Sequence, residues 1–276
     1  MPPPRTNLPR CCMADIVLPV NDRGRFYHLD CGPGELAPCI LTCGDPARAR
    51  RLARRLQHIR LRRRNREYLT VTGAYRGIPV TVLATGIGPA STAIAVVEAA
   101  HCVEGATFIR LGSCGALAPQ IQVGDLVITA RALRQEDTSR FYAPEPAEAP
   151  ADPGVLAALT RAAAELHVPH HVGLTCTIAD FYAGQGREAP GFPVADPGGI
   201  ARLAAAGVLS VEMEMSVYLA LAHVSTLNLR AGGACAVFDN FATRGEVFSL
   251  KALRRRAEGR LLDVGLRAVE ILARGV

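Results

Sequence analysis

Short apolar runs alternate along this chain with stretches of helical period, and several runs stop at turns built from glycine, serine or proline. That alternation leaves few architectures open. Strands separated by helices must cross over before they pair again, which gives an α/β protein with a largely parallel or mixed sheet. Residues 38–43 read as a strand that ends at Gly44-Asp45-Pro46, a turn and helix start, and residues 47–57 as a basic helix. Residues 68–75 and 78–84 flank Arg76-Gly77 as a hairpin. The small-residue stretch 86–92 opens a helix over 93–103. A strand at 107–111 is closed by Gly112-Ser113-Cys114-Gly115, and another covers 125–130. Downstream, the pattern predicts a loop at 145–154, helices at 155–166, 215–224 and 250–273, strands at 172–176 and 231–238, and a mobile flap at 184–199. There is no internal repeat.

Composition narrows the class further. A chain of 276 residues, 49% hydrophobic and 20% charged, supports one large domain or two small ones. No apolar run approaches the roughly 18 residues that span a bilayer. Residues 1–21 open on Pro2-Pro3-Pro4 and lack the apolar segment of a signal peptide. Residues 1–25 are expected to be a poorly ordered extension. Nine cysteines, irregularly spaced and with no Cys-x-x-Cys, speak against a disulfide framework or zinc site. They fit a reducing, cytoplasmic compartment better. Net charge is +6, carried almost wholly by arginine, with Lys251 the sole lysine. Arginine is the better residue for gripping phosphate or carboxylate through two parallel hydrogen bonds. Aromatics are 5% and are not interleaved with the basic run from Arg48 to Arg66, so no nucleic-acid stacking surface is expected.

Several residues carry chemistry. Glu212 and Glu214 sit in the apolar stretch 207–222. Buried carboxylates are costly unless paired. In extended backbone residues two apart face the same side, so both acids would converge on a hydroxyl-rich ligand such as a sugar. The alternative is a solvated turn before a helix. Arg110 ends an apolar strand and needs an anionic partner if buried. Arg48 and Arg66, with the Gly44 turn and Ser113, would complete an oxyanion site; the rival is a solvated basic face. Gln185 and Arg187 suit the polar edge of a planar base and Phe181 its face, unless residues 180–187 are an ordinary polar loop. Asp239 follows a small-residue strand, as a general acid or a turn residue.

Taken together, these segments resemble the nucleoside phosphorylases of the uridine phosphorylase and hexameric purine nucleoside phosphorylase type. The resemblance runs from about Phe26 to the C-terminus. It rests on Gly44-Asp45-Pro46-Ala47-Arg48, Thr85-Gly86-Ile87-Gly88 with Ser91-Thr92-Ala93-Ile94-Ala95, Phe108-Ile109-Arg110-Leu111-Gly112-Ser113-Cys114-Gly115 and Val211-Glu212-Met213-Glu214. It implies a single-domain three-layer αβα sandwich over residues 26–276 with a central mixed sheet. It also implies cleavage of a nucleoside by inorganic phosphate, with no cofactor required. By the same resemblance Gly44, Arg48, Arg110 and Ser113 hold phosphate, Arg66 reaches in from a neighbouring subunit, and Met213 and Glu214 hold the ribose with Glu212 nearby. His28 matches a histidine that contacts the ribose 5′-hydroxyl across a subunit interface, so at least a homodimer is implied, with a trimer of dimers as the larger alternative. Glu67, Ile87 and Ser91 match an interface site for potassium or calcium. Phe181, Gln185 and Arg187 match the uridine branch, whereas Asp239 falls near the general acid of the purine branch.

Overall fold

The computed structural model describes residues 18–246, 248 and 250–275. Of the expected extension, residues 1–17 lie outside the described residues. Residues 18–25 fold back onto the body. Val20 bridges to Phe26, Asn21 Oδ1 accepts from the N–H groups of Arg23 and Arg25, and Arg25 pairs with Glu35 at 2.7 Å.

The described elements run β1 Cys39–Cys43, α1 Pro46–Ala53, β2 Gln57–Asn65, β3 Tyr68–Tyr75, β4 Ile78–Ala84, α2 Pro89–Cys102, β5 Thr107–Ala116 and β6 Leu126–Gln135. Then come β7 Glu148–Pro150, α3 Pro153–Glu165, β8 His170–Ile178, α4 Gly199–Ala205, β9 Ser210–Glu212, α5 Met215–Val224, β10 Arg230–Asn240, β11 Gly245–Glu246 and α6 Lys251–Ala273. Local chemistry sets the helix starts. Asp45 caps α1 by accepting from Ala47 and Arg48 N–H, and Asp152 caps α3 through Val155 N–H. Both helices, and α2, begin with proline, whose fixed φ suits the first helical position.

Three expectations are corrected. The basic helix ends at Ala53, and residues 57–65 are a strand. Along β2, Arg60, Arg62 and Arg64 face water while Leu61 is buried, a period-two pattern hidden because its outward positions and their neighbours are nearly all arginine. As the outermost strand of the sheet, β2 gains from that charge, which discourages edge-to-edge pairing. The strand expected to close at Gly112 continues to Ala116, and the expected loop at 145–154 contains β7.

The sheet is mixed. β1 lies parallel to both β4 and β5, and β5 parallel to β10, whereas β2, β3 and β4 form an antiparallel meander. Beyond β5 the sheet closes on itself: β5, β10, β6, β8 and β9 pair in a ring. Alternation along the strands feeds two cores. Leu41 and Ile109 pack with Leu52 of α1, Leu159 of α3 and Leu261 of α6. Their neighbours Ile40 and Phe108 pack on the opposite face with Val96 of α2 and Leu219 of α5. The result is helix, sheet, helix. The carboxyl ends of the parallel strands β1, β4, β5 and β10 open together on one cleft, where α/β folds place their ligands.

Candidate active site

The cleft has a volume of about 760 Å³. Its floor is an ion cluster. Arg110, on β5, is buried, and its Nε donates to Glu212 Oε2 at 2.9 Å. Arg110 Nη2 contacts Glu212 Oε2 at 2.9 Å and also pairs with Glu214 Oε2. The two glutamates converge on one cation, although the strand stops at Glu212 and residues 213–214 bend into α5, so extended backbone is not what brings them together. Their roles differ. Glu212 caps the start of α5, accepting from Glu214 N–H at 2.8 Å and Met215 N–H at 2.9 Å, and takes the Thr177 hydroxyl at 2.5 Å. Every lone pair it offers is spent inside the protein. Glu214 accepts only Gly88 N–H, at 2.6 Å, besides Arg110, and it borders the cleft. Burial pushes the Glu214 carboxyl above the ordinary carboxylate range, although Arg110 pulls it down. Burial opposes the charge of Arg110 as well, but Glu214 and Glu212 together hold its pKa well above that of a free guanidinium. A Cβ on Gly112 would lie 2.8 Å from Arg110 Nη2 and 2.8 Å from Cys235 Sγ, so only glycine leaves room for the guanidinium.

Arg48 does not join a solvated face. The Asp45 cap sets it in the first turn of α1, where it turns inward and is buried. Its Nη1 donates to Leu111 O at 3.2 Å and its Nη2 to Glu258 Oε1 of α6 at 3.1 Å, while its Nε is buried without a partner. An unmet buried donor costs about 1–3 kcal/mol, and an incoming anion would remove that cost. Gly44 is required by close approach, since a Cβ there would stand 2.9 Å from Gly86 O. Gly44→Ala must push apart two backbones that both line the cleft. The expected outcome is a loss of about 1–2 kcal/mol in urea denaturation with a raised KM for the anionic substrate; wild-type values of both would show that the loops can separate freely.

Arg187 also lines the cleft, and its Nη2 meets Asp239 Oδ2 at 2.5 Å. The Arg187 guanidinium lies 4.5 Å from the Phe181 ring centroid and 4.6 Å from that of Phe241. Its Nε is buried and unpaired. Phe238 forms a bulge in the pairing of β10 with β5, so both Phe238 and Asp239 border the cleft. Burial pushes the Asp239 carboxyl up, restrained by Arg187. Gln185 is buried and borders the cleft as well.

Ser113 and Met213 line the cleft, half-buried. Arg66, with φ of +53°, stands exposed at the rim of its own chain's cleft, 3.7 Å from Glu67. His28 does not line this cleft; its Nδ1 lies 2.6 Å from Glu98 Oε1. Ser91 Oγ lies 3.2 Å from the carbonyls of both Ile87 and Gly88. Among the described residues no group of three or more His, Cys, Asp or Glu side chains is placed to hold a metal. Cys114 also borders the cleft, but a hydrogen bond with Cys235 and burial push its thiol well up, which disfavours a nucleophilic thiolate. Sequence reasoning missed the roles of Thr177, Gly88 and Glu258, which hold the charged side chains in place. Gly88 gave a signal as part of the Thr85-Gly86-Ile87-Gly88 motif, and Glu258 as an acid on the inward face of an amphipathic helix.

The pattern of the phosphorylase superfamily matches residues 38–270. The chain belongs to that superfamily. Within it, a uridine phosphorylase of Thermococcus kodakarensis is 42% identical over 229 residues, covering 82% of this chain and 81% of the relative. A guanosine phosphorylase of Halorubrum lacusprofundi is 35% identical over 215 residues, 77% of this chain and 83% of the relative. Among solved structures, a uridine phosphorylase from the oomycete Phytophthora capsici superimposes with a TM-score of 0.81 at 23% identity, covering 93% of this chain and 98% of that one. This shared phosphorylase architecture includes the mixed α/β sheet described above.

Proposed function

We propose that this chain is a uridine phosphorylase, converting uridine and inorganic phosphate to uracil and ribose 1-phosphate, with no cofactor. One observation carries the reading. The cleft is lined by Arg48 and Arg187, each with a buried guanidinium N–H that has no acceptor, and by the Glu214 carboxylate of the Arg110 cluster. That set of groups suits an anion, a sugar and a base edge. Phosphate would bind Arg48, Arg110, Ser113 and the Gly44 turn, with Arg66 closing the rim of its own or a neighbouring copy's site. Glu214 would accept from the ribose hydroxyls over Met213. Uracil would meet Gln185 and Arg187 beside Phe181.

The chemistry asks the protein for placement and charge. The glycosidic bond breaks through an oxocarbenium-like transition state. Phosphate held next to C1′ stabilises the positive charge and then attacks it. The departing uracil gains negative charge, which Gln185 and Arg187 offset as it develops, and alignment of the two reactants supplies much of the rest. Asp239 supports the pyrimidine reading over the purine one. Its Oδ2 pairs with Arg187, so it would orient the arginine and not act as the acid on a purine.

His28, outside its own chain's cleft, would complete the site of a second copy in a homodimer, and Glu67, the Ile87 carbonyl and Ser91 would hold a potassium or calcium ion between copies. No helix among the described residues is long and apolar enough to cross a membrane, and the cysteine pattern supports the cytoplasm. A panel of uridine and inosine, each with and without phosphate, tests the proposal by the absorbance change on base release. Uridine cleavage that needs phosphate is expected. Inosine turnover without uridine turnover would overturn the base assignment, and release without phosphate would make the protein a hydrolase.

A further inference from the structure

Another buried carboxylate, Glu136, lies outside the cleft. It follows β6. Its Oε1 accepts the Ser216 hydroxyl at 2.9 Å and also the Ser139 hydroxyl; its Oε2 accepts Ser139 N–H at 2.9 Å. Arg134 Nε donates to Ser139 Oγ at 2.9 Å, which sets a buried cation beside the acid. On the far side, Ser216 N–H donates to Thr177 Oγ1 at 2.9 Å, and that hydroxyl donates to Glu212 Oε1 at 2.5 Å. Every proton in this chain has one direction. Each hydroxyl donates once, and both carboxylates only accept. Glu136, Ser139, Thr177, Ser216 and Glu212 are all buried, so water cannot replace any of these bonds.

We infer that Glu136 is a positioning residue for the reaction. It anchors the first turn of α5 through Ser216, while Glu212 holds the same turn from its N-terminal end. Glu214 directly precedes that turn, so the two carboxylates together fix where the ribose-facing acid stands relative to Arg110. A buried acid held only for stability would gain little from reaching a helix that carries a site residue. A positioning acid must do so.

This inference rests on the phosphorylase reading, and its test separates the two. Ser216→Ala and Ser139→Ala each delete one hydroxyl bonded to the same carboxylate, but only Ser216 belongs to α5. A positioning role predicts that Ser216→Ala lowers kcat about 10- to 100-fold, the effect of losing a hydrogen bond to a charged group. KM for phosphate should stay within about threefold, because the groups assigned to phosphate lie on other elements. Both serine variants should lower the melting temperature by similar amounts, since each loses one hydrogen bond to the same carboxylate, but Ser139→Ala should leave kcat within about threefold. Glu136→Gln, of nearly the same size, should share the kcat loss of Ser216→Ala and gives a second route if that variant fails to fold. Equal kcat losses in both serine variants, or wild-type kcat in Ser216→Ala and Glu136→Gln, would overturn the inference. If the wild type cleaves no nucleoside, the phosphorylase reading fails on its own. Crystal structures of Ser216→Ala and Ser139→Ala then decide the positioning role: a displaced Glu214–Arg110 contact in the first alone upholds it, and an unmoved contact ends it.

Discussion

Arg110→Ala is expected to lose both stability and activity, and by different amounts. Among the described residues the guanidinium is the only cation in contact with Glu212 and Glu214, and all three side chains are buried. Removing one partner of a buried ion cluster strands the other charges, at about 3–5 kcal/mol. Glu212 keeps the Thr177 hydroxyl and two N–H groups, and Glu214 keeps Gly88 N–H, which argues for the lower end of that range. Activity should fall further. If Arg110 carries phosphate charge in the transition state, its loss costs on the order of 10³-fold in kcat/KM, the upper range for one charge-stabilising donor. Urea denaturation and steady-state kinetics on the same preparation separate the effects. A variant unfolded by the substitution shows neither a cooperative transition nor turnover. A folded variant that has lost stability and keeps near-normal kinetics would remove Arg110 from the reaction and leave it a structural residue.

What the sequence revealed followed the range of the interactions. The bounds of α5, β3 and β4 match the expected ones because each depends on local pattern: an apolar run, a turn, a capping residue. β2 was hidden because arginine at successive positions masks its alternation. The ring closed by β10 pairing with β5 depends on register between strands more than a hundred residues apart, which no local pattern encodes. The same limit applies within the site. That Glu212, Glu214 and Arg110 need partners is legible because each sits in an apolar run. The pattern points the acids at a sugar and Arg110 at an oxyanion, and their pairing with one another is not legible. That Arg48 is buried could not be read from a basic run, since its partner Glu258 lies 210 residues away. The pairing of Arg187 with Asp239, 52 residues apart, was equally invisible. It gives Asp239, read as an acid at a strand end, a charged partner in Arg187.

Glu214→Gln should lower kcat/KM by about 10²- to 10³-fold, because a carboxylate accepting ribose hydroxyls makes charge-assisted bonds that an amide cannot match. Its effect on stability depends on pH, and the sign follows from burial. The folded-state pKa of Glu214 is raised. Folding therefore favours its protonated form more than unfolding does, and that stabilising contribution is full below the unfolded carboxylate pKa of about 4.3. It is lost as pH rises through the higher folded value. Glutamine resembles the neutral acid and does not titrate, so it escapes the loss. Measured by urea denaturation from pH 5 to pH 8, the stability of Glu214→Gln relative to wild type should improve as pH rises. A stability difference constant with pH would mean that Arg110 fully offsets the burial of Glu214. An opposite slope would mean that the cation outweighs burial and lowers the pKa of the acid. Kinetics read the other half of the claim. Wild-type turnover in Glu214→Gln would show that the ribose is held elsewhere, and the Glu214 carboxylate would then serve only to balance Arg110.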